Sequence, residues 1–271
     1  MTWHRLSPAV LTLLIFLLAQ GFGTVLLLVT GAVTLPDFSI SLSIPLFSLA
    51  LMAVDIFAVL GCYFFLHGIR FVTAVDIARV KWCPGMFAVA GGVLGAMSIS
   101  VLTDKVELPD TLAQMSLAMS HDFLGLMAIA VVGPICEELL FREAIEGEML
   151  RRGASPWTAI VVSALAFSLI HLNFAQGAYA FPIGLLFGVI YYKTGNIILS
   201  SLLHILNNSI VAAQLFFLGE DVQDLSYAAL FGSTAAAYVF MAFTGVLCLV
   251  LMKVFWDSYP PLRSDTKNVL S

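Results

Sequence analysis

Charged residues are scarce in this sequence. Asp, Glu, Lys and Arg make up 11% of the 271 residues, against about 25% in ordinary soluble domains. The net charge is −5, whereas proteins that bind nucleic acid need clustered Lys and Arg. These shortages exclude a water-soluble enzyme and a nucleic-acid-binding protein, and the high hydrophobic content excludes a disordered regulator.

Cysteine is also scarce. Cys62, Cys83, Cys136 and Cys248 lie far apart and form no CxxC pair, so the sequence predicts neither a disulfide framework nor a thiolate metal site. Cys136 adjoins two glutamates, but no nearby cation or helix start would stabilise its thiolate. We therefore expect no thiol nucleophile. As a separate prediction, we expect neither a bound metal nor a cofactor.

Hydrophobic residues are abundant and make up 61% of the chain. A transmembrane helix needs about 20 apolar residues, and apolar runs of roughly this length alternate with charged and turn-forming residues. They lie at residues 8–30, 43–66, 84–103, 123–148, 155–172, 178–192, 196–218 and 228–254. We predict an all-α, polytopic membrane protein, a bundle of about eight transmembrane helices, in which the sixth run is short for a full span.

The distribution of cations predicts the orientation of the chain. If the spans alternate, every Lys and Arg except Lys105 and Arg142 falls on one side, and loops rich in these residues stay in the cytoplasm. Acidic residues collect on the opposite side, at Asp104, Glu107, Asp110, Glu220, Asp221 and Asp224. We therefore predict a multi-pass protein of the cell membrane with both termini in the cytoplasm.

Some polar residues lie inside the predicted spans, where an ionisable group costs about 2.5–3.5 kcal/mol on insertion scales. Most of them occur in the fourth, fifth and seventh runs, and they are Glu137, Glu138, Arg142, His171, His204 and Asn208. Asp55 in the second run is a further acidic residue, for which the sequence offers no partner. Each of these residues needs a structural or chemical reason for its position.

Helical spacing distinguishes the two adjacent glutamates. Glu138 and Arg142 are four residues apart on one helix face, so they can form an ion pair. Glu137 is rotated by about 100° from Glu138 and points elsewhere, which leaves its carboxylate without a partner. An unpaired carboxylate such as that of Glu137 can act as a general base. For the Glu138–Arg142 pair, a purely structural role is an equally good interpretation.

The seventh run and a proline in the fourth extend this pattern. His204 and Asn208 are four residues apart and share a face, which predicts two hydrogen-bond donors directed at one point. Pro134 should kink its helix and free a backbone carbonyl, which is tolerated only where protein or water can satisfy it. A buried polar cavity accounts for both features, although a single intramembrane histidine more often links two helices.

Three short motifs resemble those of the CPBP family of intramembrane glutamate endopeptidases, also called the CAAX protease and bacteriocin-processing (Abi) family. They are EExxxR at 137–142, FxxxH at 167–171 and HxxxN at 204–208. The segments 184–188 and 191–195 also match the run that precedes the third motif in the family. The resemblance extends over about residues 125–215. One departure is Glu143, where the family often has glycine after the arginine.

The resemblance implies that the protein hydrolyses a peptide bond with glutamate-activated water. Glu137 would be the general base, and His171 would hold the water beside it. His204 and Asn208 would stabilise the oxyanion of the tetrahedral intermediate, as preorganised hydrogen-bond donors do.

The resemblance also implies how the chain is organised. Glu138 and Arg142 would orient their helix and balance the charge of the site. A catalytic helix core at 121–218 would follow the first three helices and loops at 1–120 and precede the last helix and cytoplasmic tail at 219–271, all in one integral membrane domain. The partners would be the lipid bilayer and a membrane-anchored peptide or protein substrate, and not nucleic acid.

Two other functions stay open on the sequence alone. Glu137, His171 and His204 are a possible catalytic zinc set, although the chain lacks HExxH and these residues come from separate helices. The other alternative is a non-catalytic immunity or scaffold protein, or a proton-coupled carrier. Carriers often contain internal repeats, and the two halves of this sequence show none.

Overall fold

A computed structural model describes residues 3–30, 33–34, 39–40, 42–104, 113–172, 174–219 and 226–260. The helices in these ranges are, in chain order, α1 (Trp3–Val29), α2 (Ile44–Leu66), α3 (Ala74–Arg79), α4 (Trp82–Thr103), α5 (Ala113–Ser120), α6 (Phe123–Arg151), α7 (Pro156–Ile170), α8 (Phe174–Thr194), α9 (Ile198–Leu218), α10 (Tyr227–Leu230) and α11 (Thr234–Ser258). Two short strands, β1 (Val33–Thr34) and β2 (Ser39–Ile40), pair antiparallel between α1 and α2. Apart from this pair, the described fold is all-α, as predicted.

The long helices identify the chain as a polytopic membrane protein. Seven helices of the described part are long and apolar enough to cross a membrane, and α7 is a shorter apolar helix of 15 residues. The prediction that the sixth run is short is wrong, because α8 has 21 residues. The hydropathy near the start of α8 is lowered by Gln176, Gly177 and Pro182. The apolar run in the sequence therefore begins later than the helix does.

The outer surface of the bundle is apolar. Along α1, for example, Leu18 is 71% exposed, Phe22 73% and Val29 80%. A protein in water would not leave such large side chains uncovered over a whole helix face, whereas lipid tails solvate them. The exposed surface therefore supports a position in the bilayer.

The predicted orientation depends in part on loops outside the described residues. Outside the described residues lie six residues that were placed on the side opposite to the cytoplasm: Lys105, Glu107, Asp110, Glu220, Asp221 and Asp224. Arg263 and Lys267, which were placed on the cytoplasmic side, also lie outside them. The cytoplasmic location of both termini therefore stays a prediction.

Helix α6 lies at the centre of the bundle and carries the first predicted motif. It contacts α1, α2, α7, α8 and α9, so its sides are covered by protein. The neighbouring pair α4 and α11 packs closely because Gly95 faces Cys248: a Cβ atom at Gly95 would lie 2.8 Å from the Cys248 sulfur. Small residues of this kind allow close helix contact where lipid provides no hydrophobic drive.

Helix α6 is not a regular α-helix. Ala128–Val132 and Glu138–Gly147 are π-helical, and they alternate with α-helical segments. All ten residues of Glu138–Gly147 are buried. π-helical turns are rare and often occur at functional sites, and the longer one begins at the second of the two adjacent glutamates.

Candidate active site

The imidazole of His204 on α9 lies between the two adjacent glutamates of α6. Its Nδ1 is 3.1 Å from Glu138 Oε1, and its Nε2 is 3.4 Å from Glu137 Oε2. The Glu137 side chain is 22% exposed, whereas those of His204 and Glu138 are buried. The prediction that Glu137 has no partner and points away from Glu138 is therefore wrong. Rotation along α6 could not reveal this arrangement, because the partner comes from another helix.

Arg142 forms the predicted ion pair with Glu138. Its Nη2 is 3.4 Å from Glu138 Oε1, and both side chains are fully buried. The guanidinium also lies between two aromatic rings, 5.0 Å from the centroid of Phe167 and 5.3 Å from that of Phe187. Such contacts stabilise a desolvated cation. The motif FxxxH drew attention to Phe167, but nothing in the sequence distinguished Phe187 from ordinary core residues.

Phe167 also brings the two predicted histidines together. Its ring contacts His171 edge-on at 5.0 Å and His204 edge-on at 5.5 Å, while Phe187 stacks on His204 at 4.6 Å. His171 Nδ1 donates to the Phe167 carbonyl at 2.8 Å, so in the neutral imidazole Nε2 carries the lone pair. His171 therefore belongs to the same cluster, but it is His204 that directly contacts Glu137.

Asn208 satisfies a carbonyl that Pro134 leaves without a helical donor. The N–H of Gly133 bonds to the Ala128 carbonyl, and the next residue along, Pro134, has no N–H for the carbonyl of Ile129. Asn208 Nδ2 donates to Ile129 O at 3.0 Å. The prediction that Pro134 frees a carbonyl is confirmed, and of the two expected sources of a donor, protein and water, it is protein that supplies one.

The predicted convergence of two donors is wrong for His204. Both ring nitrogens of His204 face glutamates, so neither is directed with Asn208 at a common point. Asn208 has two N–H groups on Nδ2, and its bond to Ile129 uses one of them.

A charge cluster around the buried Glu143, toward the other end of α6, was missed in the sequence. Glu143 accepts from Arg70 at 3.0 Å, from Arg151 at 2.9 Å and from the Tyr191 hydroxyl at 2.8 Å. Arg151 also donates to the carbonyl of Gly68 at 2.7 Å. Glu143 had stood out only as a departure from the family pattern. It joins the segment after α2 to α6 and so helps to fix the helix that carries Glu137 and Glu138.

Glu146 is a further buried acid that the motifs did not include. It is fully buried, and neither carboxylate oxygen has a hydrogen-bond partner among the described residues. A Cβ atom at Gly188 would lie 2.9 Å from Glu146 Oε2, so this glycine leaves room for the carboxylate. The spacing of four residues after Arg142 is the sequence signal that could have found Glu146.

Asp55 has a partner that the sequence did not reveal. Gln20 Nε2 on α1 donates to Asp55 Oδ1 at 3.2 Å. Asp55 lies on α2, which packs against the segment Gly133–Glu137, and its carboxylate interacts electrostatically with Glu137. This acid therefore borders the cluster around His204.

The site residues do not form a metal-ligand set within the described ranges. No group of three or more His, Cys, Asp or Glu side chains there is placed to hold a metal ion. Glu137, His171 and His204, the possible zinc ligands, do not form such a group. The arrangement of these side chains thus gives the zinc-peptidase hypothesis no support.

An apolar groove adjoins the Asn208 end of the cluster. Its volume is about 350 Å³, and it lies between the first turns of α6 and the last turns of α9. Its lining residues include Met127, Ala130, Ser209, Ala213 and Phe216. The groove runs beside the turns that hold Ile129 and Asn208.

Comparisons with known proteins agree with the motifs. Residues 119–210, which contain all the predicted site residues, match the family model described as type II CAAX prenyl endopeptidase Rce1-like. The UPF0177 protein YxdF of Lactococcus lactis subsp. lactis (strain IL1403) is 29% identical over 140 residues, 48% of this chain and 73% of that protein. The membrane-embedded CAAX protease MroQ of Staphylococcus aureus (strain USA300) is 31% identical over 88 residues.

The match to MroQ covers 31% of this chain and 36% of that protein, whereas the family model covers the whole central cluster. No solved structure matches the chain. The motifs, the membrane-spanning helices and the family match agree with one another. The chain is therefore a polytopic membrane protein whose residues 119–210 match the Rce1-like family model of type II CAAX prenyl endopeptidases.

Proposed function

We propose that the protein is an intramembrane endopeptidase that hydrolyses a peptide bond of a membrane-associated protein or peptide with glutamate-activated water. The observation that carries this proposal is the contact of a partly exposed Glu137 with a buried His204. A partly exposed carboxylate, held by an imidazole in apolar surroundings, is placed to take a proton from a water molecule that enters the site.

In the proposed reaction, Glu137 accepts a proton from water while the water oxygen attacks the carbonyl carbon of the substrate. The new C–O bond forms a tetrahedral intermediate, and the C–N bond then breaks as the proton passes to the leaving nitrogen. His204 Nε2, at 3.4 Å from Glu137 Oε2, can share this proton. Glu138 holds the opposite ring nitrogen of His204 and is itself held by Arg142.

This assignment differs from the one that the resemblance implied. His204 takes the place beside Glu137 that was expected for His171. The lone pair of His171 Nε2 is left to hold the water or the leaving nitrogen. Asn208 keeps the proposed oxyanion role, because the N–H that does not bond to Ile129 can donate to the developing negative charge.

The groove beside Asn208 supplies a place for the substrate. It is lined almost wholly by apolar side chains, so it suits the apolar part of a membrane-anchored peptide. Its position beside the Ile129–Asn208 contact would bring an adjoining peptide bond to the proposed oxyanion donor. The family match at 119–210 supports the proposed catalytic core at 121–218. The location of both termini in the cytoplasm stays a separate proposal.

The proposal is tested by identifying new N-termini in membrane proteins. Cells that lack the gene would express the wild-type protein, Glu137→Gln, or the control Asp257→Asn, which alters an exposed carboxylate near the end of α11. We expect peptides that begin at a cleavage site with the wild type and the control but not with Glu137→Gln. The same new N-termini with Glu137→Gln would overturn the proposal.

A further inference from the structure

The proposed oxyanion donor is the last member of a hydrogen-bond chain that links three helices. The Tyr179 hydroxyl on α8 donates to Asn207 Oδ1 at 2.6 Å. Asn207 Nδ2 donates to Asn208 Oδ1 at 3.2 Å. Asn208 Nδ2 then donates to the carbonyl of Ile129 on α6 at 3.0 Å. None of the motifs included Tyr179 or gave a role to Asn207.

The chemistry of the two ends fixes the direction of this chain. A backbone carbonyl can only accept, so Ile129 must meet the NH₂ group of Asn208 and not its oxygen. The oxygen of Asn208 then faces Asn207, which must present its own NH₂ group. The oxygen of Asn207 is left to accept from Tyr179. Each side-chain amide therefore has one orientation.

The surroundings of Asn207 and Asn208 oppose a reversal of either side-chain amide. Asn207 is 8% exposed, and Ile129 O depends on Asn208 because Pro134 offers no N–H. An amide turned the other way would leave polar groups without partners inside the membrane, and each such group costs free energy. The chain of hydrogen bonds from Tyr179 to Ile129 thus holds the second N–H of Asn208 in one direction.

We infer that Tyr179 and Asn207 are positioning residues that, together with the carbonyl of Ile129, hold the amide of Asn208 in the orientation needed to donate to a substrate oxyanion. This inference rests on the proposed function for the role of Asn208. The orientation itself depends only on the described hydrogen bonds and can be measured without substrate.

The first measurement is nuclear magnetic resonance of the full-length protein in lipid bilayers, with its asparagines labelled with ¹⁵N. The side-chain signal of Asn208 is identified by its loss in Asn208→Asp. We expect one narrow signal in the wild type and in Tyr238→Phe, which removes a hydroxyl from a half-exposed tyrosine on α11. In Tyr179→Phe the signal should broaden or divide.

The second measurement is turnover of a fluorogenic peptide built on a cleavage site found as described above. A lost orienting hydrogen bond should lower kcat about tenfold in Tyr179→Phe while KM changes less than about twofold. Tyr238→Phe should match the wild type. Asn207→Leu removes both side-chain hydrogen bonds of Asn207 and should reproduce both effects. It replaces Tyr179→Phe if that variant does not fold.

The inference requires both changes. An unchanged Asn208 signal, or an unchanged kcat, in a folded variant would overturn it. Failure of the proposed function is distinguishable, because it appears as unchanged cleavage by Glu137→Gln or as no cleavage by the wild type. The Asn208 signal would then decide alone whether Tyr179 and Asn207 orient this amide.

Discussion

The contact between Asn208 and Ile129 predicts an energetic coupling with Pro134. Asn208→Ala removes the side-chain donor from the Ile129 carbonyl. The N–H of Gly133 is engaged with Ala128, and Pro134 has no N–H, so the carbonyl is left unsatisfied. An unsatisfied buried polar group costs about 1–3 kcal/mol, and we expect this loss in the free energy of unfolding.

Pro134→Ala should remove most of that cost. It supplies a backbone N–H at the position from which a π-helical bond to Ile129 would come. Asn208→Ala should therefore destabilise the protein by about 1 kcal/mol less when Pro134→Ala is also present, which lies within the usual range of coupling energies for interacting residues. The intrinsic effect of Pro134→Ala on the helix cancels in this double-mutant cycle.

The assay is reversible unfolding in mixed micelles of the wild type, the two single variants and the double variant. Turnover of the fluorogenic peptide gives an independent reading, because a restored backbone bond does not replace an oxyanion donor. We expect both variants that carry Asn208→Ala to lose about 10²–10³ in turnover. Equal destabilisation by Asn208→Ala with and without Pro134 would refute the reasoning.

Three further predictions concern the surroundings of the site. Glu138→Ala should lower the free energy of unfolding by about 3–5 kcal/mol, because it leaves the buried Arg142 charge without its ion-pair partner. Thermal unfolding in detergent measures this loss. A loss below about 1 kcal/mol would contradict the prediction. Ala213→Trp should fill part of the apolar groove and raise KM for the fluorogenic peptide with little change in kcat, and an unchanged KM would remove the groove from the substrate path. Dialysis against EDTA should leave turnover unchanged, whereas loss of turnover that zinc restores would favour the zinc set.

The spans were predictable because they depend on local composition. The free energy of transferring a helix into lipid is the sum over its own residues, so long apolar runs identify helices such as α2 and α11 directly. The start of α8 was missed for the same reason, since Gln176 and Gly177 interrupt the apolar run although the helix includes them. Burial against neighbouring helices compensates for such residues, and composition does not report it.

The pairs within one helix were also predictable, unlike most contacts between helices. Glu138 and Arg142 are neighbours through spacing alone, and their ion pair is present. The contact of His204 with both glutamates depends on how α9 packs against α6, which no periodicity in either helix contains. The contacts of Glu143 with Arg70 and Arg151 were missed for the same reason.

The π-helical turns of α6 were a second obstacle to prediction. Sequence reasoning used the regular α-helical rotation for Glu137 and Glu138, whereas the helix widens from Glu138 onward. Pro134 was the one visible sign of irregularity, and it correctly predicted a freed carbonyl. Its partner, Asn208, was visible in the third motif, but the connection between the two required the packed structure.

The central claim is that the carboxylate of Glu137 activates water, and turnover by Glu137→Gln in lipid nanodiscs tests it most directly. The amide keeps the shape of the side chain but accepts a proton poorly, so we expect turnover to fall by about 10²–10⁴ while the unfolding midpoint matches that of Asp257→Asn and the wild type. Turnover by Glu137→Gln within a few fold of the wild type would contradict the account.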